Sequence, residues 1–422
     1  MQNVERDLVA HGVTFTNAFV TTSFCCPSRA SILTGLYSRH TGVYADSGPH
    51  GGAPAFKDTS TLATWLHGAG YQTALVGKYL NGYNLLHGHI PPGWSEWDAL
   101  ASRDPALHYY DYKLNENGRV ITYGSRPKDY VDTVLGNIAH RFVRTARSPF
   151  FLEFCPIAPH EPSVPAPEDR GRFQNSPLPH RPNFNEADVS DKPWAGMYRL
   201  LGPSTEWLQD KWQNALASLQ QVDRTVGALV DALRSDGELR NTVFIFTSDN
   251  GLLMGEHRLT EKKVWPYEES IRVPFVIAGA DVTDPGRSNG DFALNIDIAP
   301  TIAQLAGVRP GLPEDGRSLV PLMRDQHPPW RRAFVVEYLG PGSGESDFVA
   351  PFEGIRTLRY LYARYGDLQL RPGGPLIPYP NGSEELYDLR TDPYELRNLA
   401  ALPRYQPLRR ALAAELRRLL KS

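Results

Sequence analysis

Short apolar runs alternate with longer segments of helical periodicity along the first three quarters of the chain. The apolar runs are rich in β-branched and aromatic residues, which predicts strands at residues 13–19, 73–76, 150–155, 243–247 and 273–278. Helical patterns lie between them at residues 61–67, 130–146, 207–233 and 298–306. This alternation predicts an α/β fold, a doubly wound and mostly parallel sheet sandwiched by helices.

The pattern changes after about residue 316. Two short apolar runs, at residues 333–338 and 356–364, are separated by glycine- and proline-rich stretches. A basic amphipathic segment at residues 408–420 follows, and its arginines are typical of a solvated helix face. We therefore predict an α/β domain at residues 1–316 and a smaller C-terminal α+β subdomain of antiparallel strands at residues 317–422.

Composition excludes several kinds of partner. Forty-four basic and forty-seven acidic side chains give a net charge of -3, so there is no overall attraction to nucleic acid. No apolar run approaches the roughly 20 residues that span a bilayer. Three cysteines are too few for a disulfide framework or a four-ligand zinc site. We expect no nucleic-acid partner and no membrane span, so the substrate must be recognised locally.

Polar residues that can carry chemistry follow four of the predicted strands, where open α/β sheets bind their ligands. These residues are the run Cys-Cys-Pro-Ser-Arg at 25–29, Gly77-Lys78, Pro159-His160 and the run Ser-Asp-Asn-Gly at 248–251. Each has a simpler interpretation when taken alone. The cysteines could be small core residues, the lysine solvated, the histidine structural, and the Asp-Asn-Gly run a turn.

Taken together, these residues predict two binding functions. Arg29, Lys78 and Lys263, with a helix beginning near residue 28, form a pocket suited to a small tetrahedral oxyanion. Asp249 and Asn250 offer hard oxygen ligands, which suit Ca²⁺ or Mg²⁺ better than zinc.

Residues 25–35 read Cys-Cys-Pro-Ser-Arg-Ala-Ser-Ile-Leu-Thr-Gly. This run resembles the C-x-P-S-R-x-x-x-L-T-G signature of the type I sulfatases of the alkaline phosphatase superfamily. Further resemblances lie at residues 77–78, 159–160, 248–251, 255–257, 267–269, 272–274, 385–389, 392–393 and 398–399. The resemblance covers nearly the whole chain and implies a sulfuric ester hydrolase.

The resemblance implies that Cys25 is oxidised to formylglycine by a formylglycine-generating enzyme, with Cys26 in the variable second place. In the family mechanism, one hydroxyl of the hydrated aldehyde attacks sulfur and the ester alcohol leaves. The second hydroxyl then loses its proton and sulfate is expelled, which restores the aldehyde. Covalent catalysis of this kind divides one difficult displacement into two easier steps.

Roles for the other residues follow from the same resemblance. Arg29 would hold the loop and the aldehyde hydrate, and Lys78 and the metal would neutralise the sulfate oxygens. Lys263 with His160 would stabilise or protonate the leaving oxygen. Lys262 competes with Lys263 for this role, and Lys263 is preferred for its spacing to Tyr267.

The remaining implied roles concern the metal and the substrate. Asp249, Asn250 and the converted Cys25 would bind the Ca²⁺ or Mg²⁺ ion, and His257 would line the substrate side of the pocket.

Two features refine the resemblance. Leu80 stands where family members usually carry a histidine, which leaves open the base that drives sulfate expulsion. The Lys-Tyr-Leu-Asn run at 78–81, the Pro-Pro-Gly-Trp run at 91–94 and the doubled cysteine resemble the N-acetylglucosamine-6-sulfatase branch. The implied substrate is a 6-O-sulfated amino sugar or glycan.

The family's first strand ends in two adjacent aspartates that complete the metal site, and no Asp-Asp pair occurs in this sequence. We expect the true start of the chain to lie upstream of Met1, and the chain as given to bind its metal weakly. Family members are commonly exported, so a secreted or periplasmic location is expected.

Two other functions use the same pocket. A phosphodiesterase or phosphonate hydrolase of the same superfamily would bind a group similar in shape to sulfate. A non-enzymatic protein could keep the cationic pocket to bind sulfated glycans. Faster turnover of aryl phosphate than of aryl sulfate would favour the phosphodiesterase or phosphonate hydrolase over a sulfatase. An unmodified Cys25 thiol would favour the non-enzymatic binding protein.

Overall fold

The computed structural model describes residues 1–104, 108–195, 206–340, 349–369, 376–377, 379 and 382–421. Its strands are β1 Gly12–Phe19, β2 Gln72–Gly77, β3 Glu96–Leu100, β4 Lys113–Glu116, β5 Arg119–Thr122, β6 Phe150–Cys155, β7 Val243–Thr247, β8 Leu253–Met254, β9 Thr260–Lys262, β10 Phe275–Gly279, β11 Arg287–Leu294, β12 Ala333–Tyr338, β13 Phe352–Thr357, β14 Tyr360–Tyr365, β15 Leu368–Gln369, β16 Leu376–Ile377 and β17 Glu384–Asp388. Its α-helices are α1 Cys25–Thr34, α2 Ser38–Thr41, α3 Gly52–Ala55, α4 Leu62–Gly68, α5 Val131–Thr145, α6 Glu206–Ser235, α7 Glu268–Ile271, α8 Ile298–Leu305, α9 Val320–Met323 and α10 Gln406–Leu419.

The N-terminal part contains two main sheets with helices packed against them, which confirms the α/β fold class. One sheet has the order β11-β1-β10-β7 and the other has the order β5-β4-β3-β2-β6. Pairing is mixed within both sheets, since β1 and β11, β2 and β3, and β2 and β6 are parallel while the other neighbours are antiparallel. A parallel pair needs a long crossover. The chain between β7 and β10 instead forms short elements and returns antiparallel.

Strands β6 and β7 each lie at the edge of their sheet. Every residue of these two strands is half-buried, whereas the strands beside them, β2 and β10, are almost entirely buried. The carboxyl ends of β6 and β7 both approach the side chain of Arg29, through Cys155 and Asp249 respectively. The two sheets therefore place chemistry-bearing residues at one common edge.

The C-terminal part is an antiparallel sheet of order β12-β13-β14-β17, covered by α10. The sequence predicts one strand at residues 356–364, and the structure has a hairpin there, with Leu358 and Arg359 between β13 and β14. This turn contains neither glycine nor proline, the residues that most often mark a turn in a sequence.

The boundary between the two predicted domains has no sharp break in packing. Leu319, Val320 and Met323, just beyond residue 316, pack in the same core as Val13 and Phe275 of the first sheet. The C-terminal sheet itself begins at Ala333. In the part of the chain that the structure describes, no helix is both long and apolar enough to cross a membrane.

Candidate active site

Helix α1 presents its first residue, Cys25, at the end of β1 and a short buried loop. No side chain caps the helix at Phe24, and the helix ends at Gly35, whose φ of 73° is a left-handed conformation that glycine adopts easily. The backbone amide of Cys26 donates to the Asp46 carboxylate at 2.8 Å. The N-terminus of α1 is thus buried and binds the Asp46 carboxylate. A carboxylate is favourable there because the positive end of the helix dipole attracts negative charge.

The Cys25 thiol is 2 % exposed and lies between a cation and an amide. The Lys263 ammonium donates to its sulfur at 3.1 Å, and the sulfur lies 3.7 Å from Asn250 Oδ1. Three elements distant in sequence therefore meet at Cys25. We call Cys25, Arg29, Lys78, His160, Asp249, Asn250 and Lys263 the Cys25 pocket.

Arg29, one helical turn beyond Cys25, fixes two other parts of this pocket. Its Nε donates to Asp249 Oδ2 at 2.8 Å, and its terminal nitrogen donates to the Lys78 carbonyl, also at 2.8 Å. Both partners lie just beyond strand ends, because Asp249 follows β7 and Lys78 follows β2. Arg29 is thus a positioning residue that joins the two sheets at their common edge.

Asp249 is the anion at the centre of these cations. Burial alone would raise the pKa of its carboxyl, but the Arg29, Lys78 and Lys263 charges lower that pKa to about 2. The same carboxylate, with the Cys25 sulfur and Asp46, raises the pKa of Lys263 against the opposing effect of burial. The three basic side chains of the pocket thus outnumber the two carboxylates that act on them, Asp249 and Asp46.

His160 contributes a neutral ring to the same pocket. Burial is the main cause that lowers its pKa, and the Lys263 and Lys78 charges lower it further, to about 4. Its Nδ1 lies 2.9 Å from the Glu161 carbonyl oxygen, so the proton on this nitrogen is the hydrogen-bond donor. The other ring nitrogen, Nε2, then carries a lone pair.

The structure adds Asp46, a residue that the sequence did not single out. Its two oxygens accept from the backbone amide of Cys26 and from the side-chain nitrogen Nδ2 of Asn81. The backbone amide of Asn81 donates to the Cys26 sulfur at 3.0 Å. Asp46 thus holds the segment after Lys78 against the start of α1. It lies in a loop without motif or periodicity, so no sequence signal distinguishes it from other surface acids.

Two predicted positions differ from the rest. His257 has no exposed surface and contacts Glu186, Asn183 and the Tyr267 ring, none of which belongs to the Cys25 pocket. The structure therefore does not bring His257 to the predicted substrate side. The side chain of Lys262 lies outside the described part of the structure, and the contact to Cys25 belongs to Lys263.

The predicted metal ligands supply only part of a coordination shell. Asp249 and Asn250 offer two oxygens, whereas Ca²⁺ takes about six to eight, and one oxygen of Asp249 is bonded to Arg29. No group of three His, Cys, Asp or Glu ligands surrounds Cys25 among the residues that the structure describes. With three cations adjacent, these residues do not by themselves fit a tightly held Ca²⁺ or Mg²⁺ ion.

Family models match both parts of the chain. The model described as sulfatase matches residues 1–308, and the model described as the C-terminal region of N-sulphoglucosamine sulphohydrolase matches residues 255–422. Together they cover the whole sequence, and their overlap includes Lys263 and α7.

Individual proteins agree with these matches. The chain is 32 % identical to the N-acetylglucosamine-6-sulfatase of Capra hircus, over 92 % of this chain and 74 % of that protein. It is 35 % identical to the extracellular sulfatase SULF-1 homologue of Drosophila melanogaster over 78 % of this chain, and spans only 30 % of that protein's length. A solved structure of a protein in complex with its substrate D-glucosamine-2-N,6-O-disulfate superposes with a TM-score of 0.81 at 25 % identity, covering 100 % of this chain and 92 % of the other.

Proposed function

This chain belongs to the sulfatase family, and from that membership we propose that it hydrolyses the 6-O-sulfate ester of a glucosamine-type sugar in a sulfated glycan. The proposal is carried by one observation, the contact of the Cys25 sulfur with Lys263 at the buried N-terminus of a helix. The sugar class is supported by the N-acetylglucosamine-6-sulfatase relatives and by the structural relative bound to a 6-O-sulfated glucosamine.

The surroundings of Cys25 fit the formylglycine that the family carries at this position. When formed and hydrated, this group supplies a nucleophile with two hydroxyls on one carbon. Lys263 would donate to one oxygen, and Asn250 Oδ1 would accept from the other, as these side chains now contact the sulfur. The family's divalent cation would be held by Asp249, Asn250 and the converted Cys25, with weak binding expected from so few ligands.

Binding of the sulfate group rests on fixed cations. Lys78 is almost fully buried and Lys263 is half-buried, so both charges act where water screens them little. Arg29 donates to Asp249 and to the Lys78 carbonyl, and so positions the carboxylate and the Lys78 backbone relative to Cys25. Preorganised charges of this kind stabilise developing negative charge without reorganisation during the reaction.

Lys263 and His160 would handle the leaving oxygen. The Lys263 ammonium keeps its proton because neighbouring anions raise its pKa, so it stabilises a developing alkoxide by donating a hydrogen bond. His160 begins neutral, with a lone pair on Nε2 that can take a proton. A bound sulfate anion opposes the lysine charges that lower the His160 pKa, and so helps Nε2 to hold that proton for the departing alcohol.

Regioselective sulfate release tests this function. The full chain, co-produced with a formylglycine-generating enzyme, is assayed on 6-O-, 4-O- and 3-O-sulfated N-acetylglucosamine and on the matching 6-phosphate. We expect kcat/KM to be highest for the 6-O-sulfate. Faster turnover of another sulfate position would overturn the substrate assignment, and faster turnover of the phosphate would favour the phosphodiesterase alternative.

A further inference from the structure

A second buried cluster of polar side chains lies between the α/β part and the C-terminal part of the molecule. It consists of His257 in the turn between β8 and β9, Glu269 on α7 and Glu395 in the segment after β17. One ligand atom from each residue lies within 4.8 Å of the other two. We call these three residues the interdomain cluster.

The two carboxylates of this cluster each keep one oxygen without a hydrogen-bond partner among the described residues. Glu395 is fully buried, and its Oε2 accepts from the Glu268 amide at 3.1 Å while its Oε1 is unpaired. Glu269 Oε1 accepts from Asn183 at 2.9 Å and lies 3.9 Å from an Arg181 nitrogen, while its Oε2 is unpaired. A buried acceptor left unpaired costs about 1 to 3 kcal/mol, so these oxygens need a partner.

His257 is oriented as a ligand rather than as a cation. Its Nδ1 lies 2.7 Å from Glu186 Oε2, so Nδ1–H donates to that carboxylate and Nε2 carries the lone pair. Asn183 Nδ2 donates to this lone pair over a long distance of 3.4 Å, a contact that a bound ion would replace. Burial, aided by the Lys192 charge, lowers the pKa of the ring to about 3. A carboxylate that fixes a histidine through Nδ1 is the arrangement seen behind metal-bound histidines.

The nearby cations are engaged with other groups. Arg356 and Arg272 both pair with Glu268, and the Lys192 ammonium donates to the carbonyls of Glu395 and Leu396. Arg181, whose side chain is 57 % exposed, lies 3.9 Å from Glu269. Arg356 acts on Glu395 at longer range while it pairs with Glu268. Among the described residues, no buried cation forms an ion pair with either cluster carboxylate, and a metal ion would supply that charge.

A cleft borders this cluster on the side of Glu269. A cavity of about 640 Å³ is lined from both parts of the molecule, with Glu269 and Trp212 on one side and Arg356 and Tyr394 on the other. Glu269 thus borders the cleft and also belongs to the cluster.

We propose that His257, Glu269 and Glu395 bind a divalent transition-metal ion, of the Zn²⁺ or Mn²⁺ type, that fastens the C-terminal part to the α/β part. One imidazole nitrogen with two carboxylate oxygens suits these ions, whereas Ca²⁺ and Mg²⁺ prefer oxygen alone. Asn183 Oδ1, which is buried and unpaired, stands beside Glu269 as a further oxygen donor. This inference is independent of the sulfatase chemistry at Cys25.

Zinc binding to chelator-treated full chain tests the proposal, with Asp249→Asn as the background that removes the active-site ligand. We expect one Zn²⁺ per chain in this background, and a zinc-dependent rise in the unfolding temperature. Glu395→Gln added to it should abolish both effects. Glu385→Gln, which alters another fully buried carboxylate on β17, should abolish neither.

Three outcomes would overturn the proposal. One is equal zinc binding by the Glu395→Gln chain, and another is the absence of a bound zinc in the Asp249→Asn chain. The third is a Glu395→Gln chain that is more stable than its parent at pH 8 whether or not zinc is present, because a proton shared by the two carboxyls then explains the cluster. If Glu395→Gln does not fold, zinc binding by the Asp249→Asn chain decides alone.

Discussion

The Cys25 pocket and the interdomain cluster are both buried, and they differ in the sign of their charge. In the first, Arg29, Lys78 and Lys263 surround one carboxylate, Asp249. In the second, the carboxylates of Glu269, Glu395 and Glu186 converge on a neutral imidazole. The excess of positive charge in the Cys25 pocket favours a bound anion, and the excess of acidic groups in the interdomain cluster favours a bound cation. The comparison shows that neighbouring charges, more than burial, decide what a buried site can hold.

The titration of individual carboxyls reflects this difference. Cations lower the pKa of Asp249 to about 2 in spite of its burial. Burial raises the pKa of Glu186 to about 7, and Lys192 only partly opposes this effect. Two acids with similar ordinary pKa values thus differ at neutral pH, because the neighbouring cations outweigh burial at Asp249, whereas burial outweighs Lys192 at Glu186.

The largest expected effect removes the nucleophile from the anion-binding site. Cys25→Ala should lower kcat for sulfate ester hydrolysis by about 10⁴-fold or more, because no covalent step remains possible. Cys26→Ala is the matched control, since its sulfur is fully buried and accepts from the Asn81 amide without contact to Lys263. Its activity should stay within a few-fold of the parent. Equal losses in the two variants would contradict the assignment of Cys25.

The next largest effect removes one cation from the same pocket. Lys263→Ala should lower kcat by about 10²- to 10³-fold, the range found when one preorganised donor to a developing oxyanion is lost. Lys128→Ala removes an exposed lysine and should leave kcat unchanged. Steady-state kinetics on a sulfated sugar measures both. A change confined to KM would show that Lys263 only binds substrate.

The ion pair that joins the two sheets should dominate stability at this edge. Arg29→Ala leaves the half-buried Asp249 carboxylate without its closest partner, and we expect a loss of about 3 kcal/mol in the free energy of unfolding. Arg418→Ala breaks an exposed pair with Glu415 and should leave the urea unfolding midpoint unchanged. Similar midpoints for Arg29→Ala and the parent would show that the lysines alone satisfy Asp249.

The smallest expected effect is the pH dependence of stability that Glu385, a fully buried acid on β17, produces. Burial raises the pKa of Glu385 to about 7, although Lys192 and three tyrosine hydroxyls oppose this. The folded protein therefore keeps a proton that the unfolded chain releases near pH 4.5. Because of this difference, the free energy of unfolding of the protein falls as pH rises from about 4.5 to 7.

Glu385→Gln removes that loss. Relative to the parent, its free energy of unfolding should rise by about 2 to 3 kcal/mol between pH 5 and pH 8. Urea unfolding at both pH values measures the difference. A difference that does not change with pH would contradict the raised pKa of Glu385.

Sequence patterns predicted five strands of the α/β part, because these depend on local order, and missed β3, β4, β5 and β11. Strands β6 and β7 have the predicted bounds, and the polar residues that follow β2, β6 and β7 lie around the Cys25 pocket. The contacts between residues distant in sequence could not be predicted from these local patterns. Asp46 and the partners of His257 come from loops whose position is set by tertiary packing.

Catalysis by a converted Cys25 requires that this residue carries an aldehyde in the mature, active protein. Peptide mass spectrometry with fragmentation reads this state and separates Cys25 from Cys26. We expect a mass lower by about 18 Da at Cys25, from conversion of the thiol to an aldehyde, and an unchanged Cys26. An unmodified thiol at Cys25 in protein that hydrolyses sulfate esters at full rate would contradict it.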